Sequence, residues 1–580
     1  MSIKSQNTFS SAIQLNTIDD YIAPTQACIK PVKIDKSIGK TKSIRIEEDG
    51  SYTAVTEDGN KHVLQKASIS LNDCLACSGC ITSAETILIS EHSSSVLLEV
   101  LAQNETKRSI IVFTLSPQSI TNLMAYISNS PESKLAKCFS CSEFTSPKPN
   151  ANAFRTFITS CLLAMGVHLV IDVTWARDLC LYEAGLEFIA HSAGDQYERT
   201  EAMPLFSSIC PGWICYAEKS PSSSVSSTES THNEFSILPH ISKIRSPQQI
   251  AGRIIKLIGE ERCFHVSIMP CFDKKLEASR EEFSVQSSVA DCRVPDVDLV
   301  LATNELLYLL ESFCHESDGS LVFSPPTYAA ELGENNRLIL SRLCEVFHGQ
   351  WNVCNRTNNM PSENKGVVPM YRHSGSGSGG YAAYIFRFAA EKLFSINLDL
   401  NLSEDEHVLV RQLQNRDLQE MLLFNTKEDR NLAASLLSSH SNRIPYRHLE
   451  IIEPKALLVF AVANGFRNIQ TIVQYLRKIH QVAKFEQKKI KQTKSMYPFD
   501  YVEVMACPNG CLNGGGQIKE LLKQTNEVYA NLAVAEPMSN DLVQSLYSFI
   551  KSRDPDRKSL HTTYRTVPKI EIVNPSALKW

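Results

Sequence analysis

Long apolar runs are missing from this chain of 580 residues: nowhere do 18 apolar positions follow one another, which removes a membrane-spanning helix from consideration. Residues Met1 to Ser11 are polar and lack the basic and apolar parts of a secretion signal, so the expectation is a soluble, intracellular protein. Neither sign of charge is in excess, with 58 Lys and Arg against 63 Asp and Glu and a formal net charge of −5. That balance supplies no general attraction to nucleic acid or to an anionic membrane. No Walker A sequence is present, so any use of ATP would fall to a partner. The 15 histidines include no H-E-x-x-H or paired-His zinc signature, and His265, inside a buried-strand pattern, reads as core. The segment Ser374 to Gly380 (SGSGSGG) is not a dinucleotide fingerprint, because no strand and helix flank it with the required acid. No repeat of fixed period is visible.

What the chain does have is cysteine, 18 in all. In a reducing cytosol these are metal ligands or buried thiols rather than disulfides. Their setting is an α/β pattern. Residues 1–100 carry short alternating stretches such as Ser43 to Glu47 and a Glu57-Asp58-Gly59-Asn60 turn, which predict small strands and hairpins in a separate N-terminal unit. From Ser109 onward, apolar runs alternate with helical patterns. Ile110–Phe113, Val167–Val173, His265–Met269, Asp298–Ala302 and Tyr501–Met505 read as buried parallel strands, and 153–165 as helix. Helical periodicity is also read in 404–424 and 466–491. Ser220 to Ser230 is low-complexity and predicts a surface insertion, set at 220–236.

Cys74-Leu75-Ala76-Cys77-Ser78-Gly79-Cys80 has C-x2-C-x2-C spacing, a loop that can wrap one corner of a cubane so that three sulfurs reach three irons. A fourth ligand is needed, and Cys28, upstream in Ala27-Cys28-Ile29-Lys30-Pro31, is the candidate. Zinc on the same four thiolates is the rival, although structural zinc is usually held by two separated C-x2-C pairs. Cys138 and Cys141 form a lone C-x2-C and are read as incidental. Cys161, Cys180 and Cys263 lie in apolar surroundings and read as core thiols.

Three further segments place cysteine beside residues that force the backbone: Ser208-Ile209-Cys210-Pro211-Gly212-Trp213, Met269 to Lys275 around Cys271, and Met505 to Gln517 around Cys507 and Cys511. Two of them directly follow apolar strands, which puts their thiols at strand C-termini, where open α/β sheets place ligand sites. Cys210, Cys271, Cys507 and Cys511 thus form a candidate four-thiolate set, with buried structural thiols as the alternative.

These three segments resemble the three signature motifs of iron-only hydrogenases, and Ser246-Pro247-Gln248-Gln249 is also similar to that family, over roughly residues 105–535. The N-terminal region, from Asp19-Asp20-Tyr21 through Cys28 to Pro31, and the tail resemble a narrower group. These are the iron-only hydrogenase-like cytosolic iron–sulfur assembly factors, also called nuclear prelamin A recognition factor-like proteins. The resemblance implies an α/β, two-lobed hydrogenase-like body with a cluster between the lobes, preceded by a small iron–sulfur region. The implied divisions are residues 1–104, 105–535 and 536–580. It further implies two [4Fe–4S] clusters, one on Cys28, Cys74, Cys77 and Cys80 and one on Cys210, Cys271, Cys507 and Cys511.

Departures from the hydrogenase pattern weigh on the function. Where hydrogenases carry a proton-donating cysteine before the first motif cysteine, this chain has Ile209, which cannot shuttle a proton. Lys274 matches a hydrogenase lysine that contacts a diiron ligand, and Glu183 resembles a carboxylate of the proton route; both read more economically as inherited structural groups. Leu578-Lys579-Trp580 ends in an aromatic residue with its carboxylate, suited to a partner pocket, and the resemblance implies that such a tail binds the targeting complex. The implied function is a non-enzymatic component of cytosolic iron–sulfur protein assembly, cytoplasmic and extending to the nucleus. Its implied partners are an early P-loop NTPase scaffold, a targeting complex of β-propeller and helical-repeat subunits, and apo iron–sulfur proteins. A hydrogenase or electron-transfer oxidoreductase is the alternative. A zinc-bound scaffold for a nuclear lamin precursor stands third.

Overall fold

A computed structural model describes residues 41–46, 52–56 and 61–64, and then residues 89–565 except for 108, 143–149, 194–203, 220–235, 287–292, 318–319, 327–331, 348–350, 354–368, 439–443, 450–452 and 486–496. Cys28, Cys74, Cys77, Cys80, Trp580 and nearly all of the 220–236 insertion lie outside the described residues. The chain divides into two compact units, Met1–Ile87 and Leu88–Trp580. The first contains an antiparallel sheet of β1 (Thr41–Ile46), β2 (Tyr52–Thr56) and β3 (Lys61–Leu64). Its strands β2 and β3 pair antiparallel with Val55 opposite Lys61, and the expected Glu57–Asn60 turn lies outside the described residues.

The second unit is built on ten principal strands: β4 (Ile110–Leu115), β5 (Leu169–Asp172), β6 (Leu205–Phe206), β7 (Cys263–Met269), β8 (Leu299–Ala302), β9 (Trp351–Val353), β10 (Val408–Gln412), β11 (Leu418–Leu423), β12 (Leu458–Asn464) and β13 (Tyr501–Met505). They form two five-stranded sheets, in the order β8-β7-β4-β5-β9 and β10-β11-β12-β13-β6. In the first sheet all neighbours are parallel except the edge pair β5–β9. In the second, β12, β13 and β6 are parallel, and β10 and β11 extend the sheet antiparallel. The central strands are buried throughout, which explains why they read as unbroken apolar runs rather than as alternation.

Nine helices position the functional groups: α1 (Pro117–Asn129), α2 (Ala151–Ala164), α3 (Thr174–Ala193), α4 (Pro211–Lys219), α5 (Pro247–Gly259), α6 (Asp273–Ala278), α7 (Tyr381–Phe394), α8 (Phe466–Phe485) and α9 (Asp541–Arg553). Helices α3, α5, α7 and α9 share one core with residues of both sheets, including Val112 and Ile171 from the first and Phe460 and Tyr501 from the second. The outer face of the first sheet packs on α1 and α2, and that of the second on α4 and α8. The result is two sheet lobes joined through a shared helical layer, the α/β arrangement expected. Among the described residues no helix is long and apolar enough to cross a membrane.

One expected helix is absent. Residues 404–424 form the β10–β11 hairpin, closed around Asn415, whose side-chain oxygen accepts from the Asp417 amide at 2.9 Å. The apolar spacing of this stretch suits either a helix or a strand pair. Pairing of β11 with β10 on one side and β12 on the other settles it, because tertiary partners override local preference. The second expected helix, at 466–491, is present as α8 over its described part.

Candidate metal centre

Each of the three cysteine motifs leaves the C-terminal end of a strand. Cys271 lies two residues beyond β7 in the first sheet, Cys507 two beyond β13 in the second, and Cys210 four beyond the two-residue strand β6, which the sequence did not reveal. Because β6 and β13 are adjacent and parallel, they deliver Cys210 and Cys507 to the same edge. Ser207 fixes their register: its amide donates to the Val502 carbonyl at 2.9 Å and its hydroxyl accepts from the Val504 amide at 2.9 Å. The Ala506 amide donates to Cys210 Sγ at 3.2 Å. The first and third motifs are therefore bonded through a ligand candidate itself.

The second motif joins from the other lobe, and glycine makes the approach possible. A Cβ on Gly514 would stand 2.3 Å from the Pro270 carbonyl oxygen, and one on Gly212 would stand 2.8 Å from an Asp273 carboxylate oxygen and 3.1 Å from Ala506 Cβ. The Gly516 amide then donates to the Pro270 carbonyl at 2.9 Å. Cys511 follows Cys507 through the short helical turn Gly510–Asn513, and its amide donates to the Ser378 hydroxyl at 3.0 Å. The SGSGSGG segment thus meets this site through Ser378.

The four thiols feel one another. Burial, the Asp273 carboxylate and the other three thiols push Cys271 well above the ordinary thiol range. Burial and Cys511 push Cys210 up to about 12. Burial and Cys210 raise Cys507, and burial raises Cys511, opposed by the Ser378 hydrogen bond and the Lys274 charge. Yet each cysteine keeps part of its surface accessible. Desolvated thiols with accessible surface fit a space enclosed by protein better than a packed core. Among the described residues no three His, Cys, Asp or Glu come close enough together to hold a single metal ion. One zinc at about 2.3 Å from each sulfur would draw the four together to about 4 Å. A mutually repelling, buried, all-thiol set suits a multi-iron cluster, whose iron charge would offset the repulsion.

Around this set, the structure shows what the neighbouring polar groups do. Lys274 Nζ donates to Glu277 Oε2 at 2.9 Å and to the Ile209 carbonyl at 3.1 Å. Glu277 Oε2 also accepts from Ser246 Oγ at 2.9 Å and Gln248 Nε2 at 3.2 Å. The Ser246–Gln249 segment is accordingly the receptor for the second motif, with Glu277 at its centre. Sequence reasoning missed Glu277, although its place three residues after Lys274 on α6 is the spacing at which a helical ion pair forms. Ile209 packs on the shared core. Glu183 is 1% exposed and ties α3 to the C-terminal region: Tyr547 Oη donates to it at 2.6 Å, Arg557 Nη1 at 3.0 Å, and His561 Nε2 lies at 3.1 Å. Burial raises its pKa, but the His561 and Tyr547 hydrogen bonds and the Arg557 charge outweigh burial and hold the carboxyl below the ordinary range. Both groups have structural partners, which is the economical reading of them.

Other expectations concern residues away from the site. His265 is buried, with Nε2 2.9 Å from Thr114 Oγ1 and Nδ1 3.3 Å from the Asp296 carbonyl, a satisfied core histidine. Cys161, Cys180 and Cys263 are core thiols raised by burial. Cys138 is buried and Cys141 exposed.

The sequence model described as the C-terminal domain of the iron-only hydrogenase large subunit matches residues 140–515. A mouse protein named cytosolic iron-sulfur assembly component 3 is 36% identical over 583 residues, which cover 97% of both chains. A Xenopus tropicalis protein named cytosolic Fe-S cluster assembly factor narfl is 34% identical over 99% of this chain and 100% of its own. Among solved structures, a variant of the [FeFe]-hydrogenase HydA1 from Chlamydomonas reinhardtii matches 82% of this chain and 99% of its own, with a TM-score of 0.50 and 19% identity, a likeness of fold alone.

Proposed function

The chain belongs to the family of cytosolic iron–sulfur assembly factors built on the iron-only hydrogenase fold, and from that premise we propose that it carries two [4Fe–4S] clusters and links an early assembly scaffold to a targeting complex. One cluster is assigned to Cys28, Cys74, Cys77 and Cys80, the other to Cys210, Cys271, Cys507 and Cys511. The observation that carries this reading is the convergence of three cysteine motifs from two different sheets on one another. A bound cluster supplies one-electron redox chemistry and, where exposed, iron and sulfide that can be passed on. The chain's own residues supply a fixed thiolate cage, amide donors to sulfur and a Lys274–Glu277 pair that closes the cage beside Ile209.

Assembly rather than hydrogen turnover is the role these residues support. A hydrogenase needs an acid–base group beside its metal, and Ile209 offers none. Glu183, the carboxylate that resembles the next step of such a route, has its oxygens taken by three groups of the C-terminal region. The site of action is cytosolic, with recipients in cytosol and nucleus; the partners are a P-loop NTPase scaffold, a β-propeller and helical-repeat targeting complex, and apo iron–sulfur proteins.

Anaerobically purified protein is expected to contain about eight irons and about eight acid-labile sulfides per chain, with two cubane-type paramagnetic resonance signals on reduction. Zinc without sulfide would overturn the proposal. Deletion of Trp580 is expected to weaken capture of the purified targeting complex at least about tenfold, a loss of ~1.4 kcal/mol, while iron content stays unchanged. Equal capture by the truncated chain would remove the tail from the mechanism.

A further inference from the structure

Several buried cations among the described residues have a carboxylate within ion-pairing distance. Lys274 pairs with Glu277, Lys275 with Glu305, Lys256 with Asp298 and Arg411 with Glu420. Arg177, on α3 and 4% exposed, forms no ion pair with any carboxylate among the described residues. Its Nη2 donates to the neutral Gln118 amide oxygen at 2.9 Å, and its Nη1 is buried with no hydrogen-bond partner. Asp172 and Asp178 act on it from beyond ion-pair contact, while their oxygens accept from other groups: Asp178 from Tyr371 at 2.6 Å and His373 at 2.5 Å, Asp172 from Thr174 at 2.7 Å. Removing a guanidinium from water costs several kcal/mol, and an Nη1 with no direct partner leaves a place for a further anion close by.

The position of Arg177 names that anion. Its stem lies across Gly379, the residue after Ser378, whose hydroxyl holds the Cys511 amide. Gln118, its hydrogen-bond partner, donates in turn to the Gly377 carbonyl at 3.1 Å and accepts through its own carbonyl from Gln517 at 3.0 Å. Arg177 is thereby tied to both walls of the cysteine site, and its charge acts on the Cys511 thiol. A cubane held by four thiolates is a net anion that gains a further negative charge on reduction.

We infer that Arg177 is the buried counter-charge of a cluster on Cys210, Cys271, Cys507 and Cys511 and that it sets the ease with which that cluster is reduced. This rests on the two-cluster reading above. Arg177 holds no iron; it acts through the field at the cluster, stabilising the more negative, reduced form. A residue that merely braced the glycine-rich segment would leave the redox equilibrium where it was.

The test is a redox titration of full-length, anaerobically purified protein, followed by paramagnetic resonance, for wild type, Arg177→Lys and Arg177→Gln, with iron and sulfide measured on each. In Arg177→Gln one of the two signals is expected to titrate lower. At that signal's wild-type midpoint the ratio of reduced to oxidised cluster should fall about tenfold, or ~59 mV for one electron. The other signal should not move, and Arg177→Lys should retain most of the wild-type value. Full iron loading with both midpoints unchanged in Arg177→Gln overturns the inference while leaving the two-cluster reading intact. Equal loss of iron in the Lys and Gln variants also overturns it, because the fork geometry rather than the charge would then be what matters. A wild-type chain with about four irons and a single signal removes the two-cluster reading itself, and the inference with it.

Discussion

Cys271→Ala will hold about four irons per chain instead of about eight and will melt about 10 °C or more below the wild type. The substitution leaves three largely desolvated thiols that already repel one another beside the Asp273 carboxylate. Without the fourth sulfur the cage cannot close, and binding energy that had been part of folding is lost. The effect should be large because Cys271 is the sulfur brought by the first sheet, whereas Cys210, Cys507 and Cys511 come from the second. Cys161→Ala is the matching control: a thiol 3% exposed in the outer core, whose loss should cost about 1–2 kcal/mol and no iron. Iron analysis and thermal unfolding of both variants decide the matter, and a soluble Cys271→Ala chain with full iron would remove the assignment.

Glu183→Ala is the second change with a large expected effect, about 2 kcal/mol of stability. A buried carboxylate would disappear from beneath Tyr547, Arg557 and His561; the figure is modest because Arg557 and His561 are each about a third exposed and regain water. The pH dependence has a definite sign. The Glu183 pKa is lower in the folded chain than in the unfolded one, so the unfolded state binds more protons over the interval between them. The contribution of Glu183 is complete above the ordinary carboxylate pKa and is lost as pH falls through the folded value. Acid unfolding followed by far-ultraviolet circular dichroism should therefore show a shallower loss below about pH 5 in Glu183→Ala than in wild type. Parallel acid curves would mean that the C-terminal region is held by its apolar contacts alone.

Much of the site was legible because its chemistry constrains sequence locally. Thiols beside Pro and Gly after an apolar strand are visible without coordinates, and Cys210, Cys271, Cys507 and Cys511 do share one site's electrostatics. What could not be read depends on distant partners. Nothing in the neighbourhood of Glu183 announces Tyr547, Arg557 or His561, more than 360 positions later. Glu503 looks like any charge in a strand, yet it is fully buried, accepting from Ser376 Oγ at 2.5 Å and from the Ala382 amide at 2.8 Å. The 404–424 hairpin was misread for the opposite reason: its leucines satisfy two periodicities, and only the neighbouring strands choose between them.

The bond from the Ala506 amide to Cys210 Sγ spans 296 positions. At ribosomal speeds of about 5–20 residues per second, Cys210 leaves the ribosome roughly 15 to 60 seconds before the segment that completes its cage. For that interval it is an unpaired soft ligand in a crowded metal economy, able to take up whichever thiophilic ion arrives first. On the four-cysteine assignment proposed above, emergence of Cys507 and Cys511 from the translation machinery sets the earliest moment at which a newborn chain can be charged.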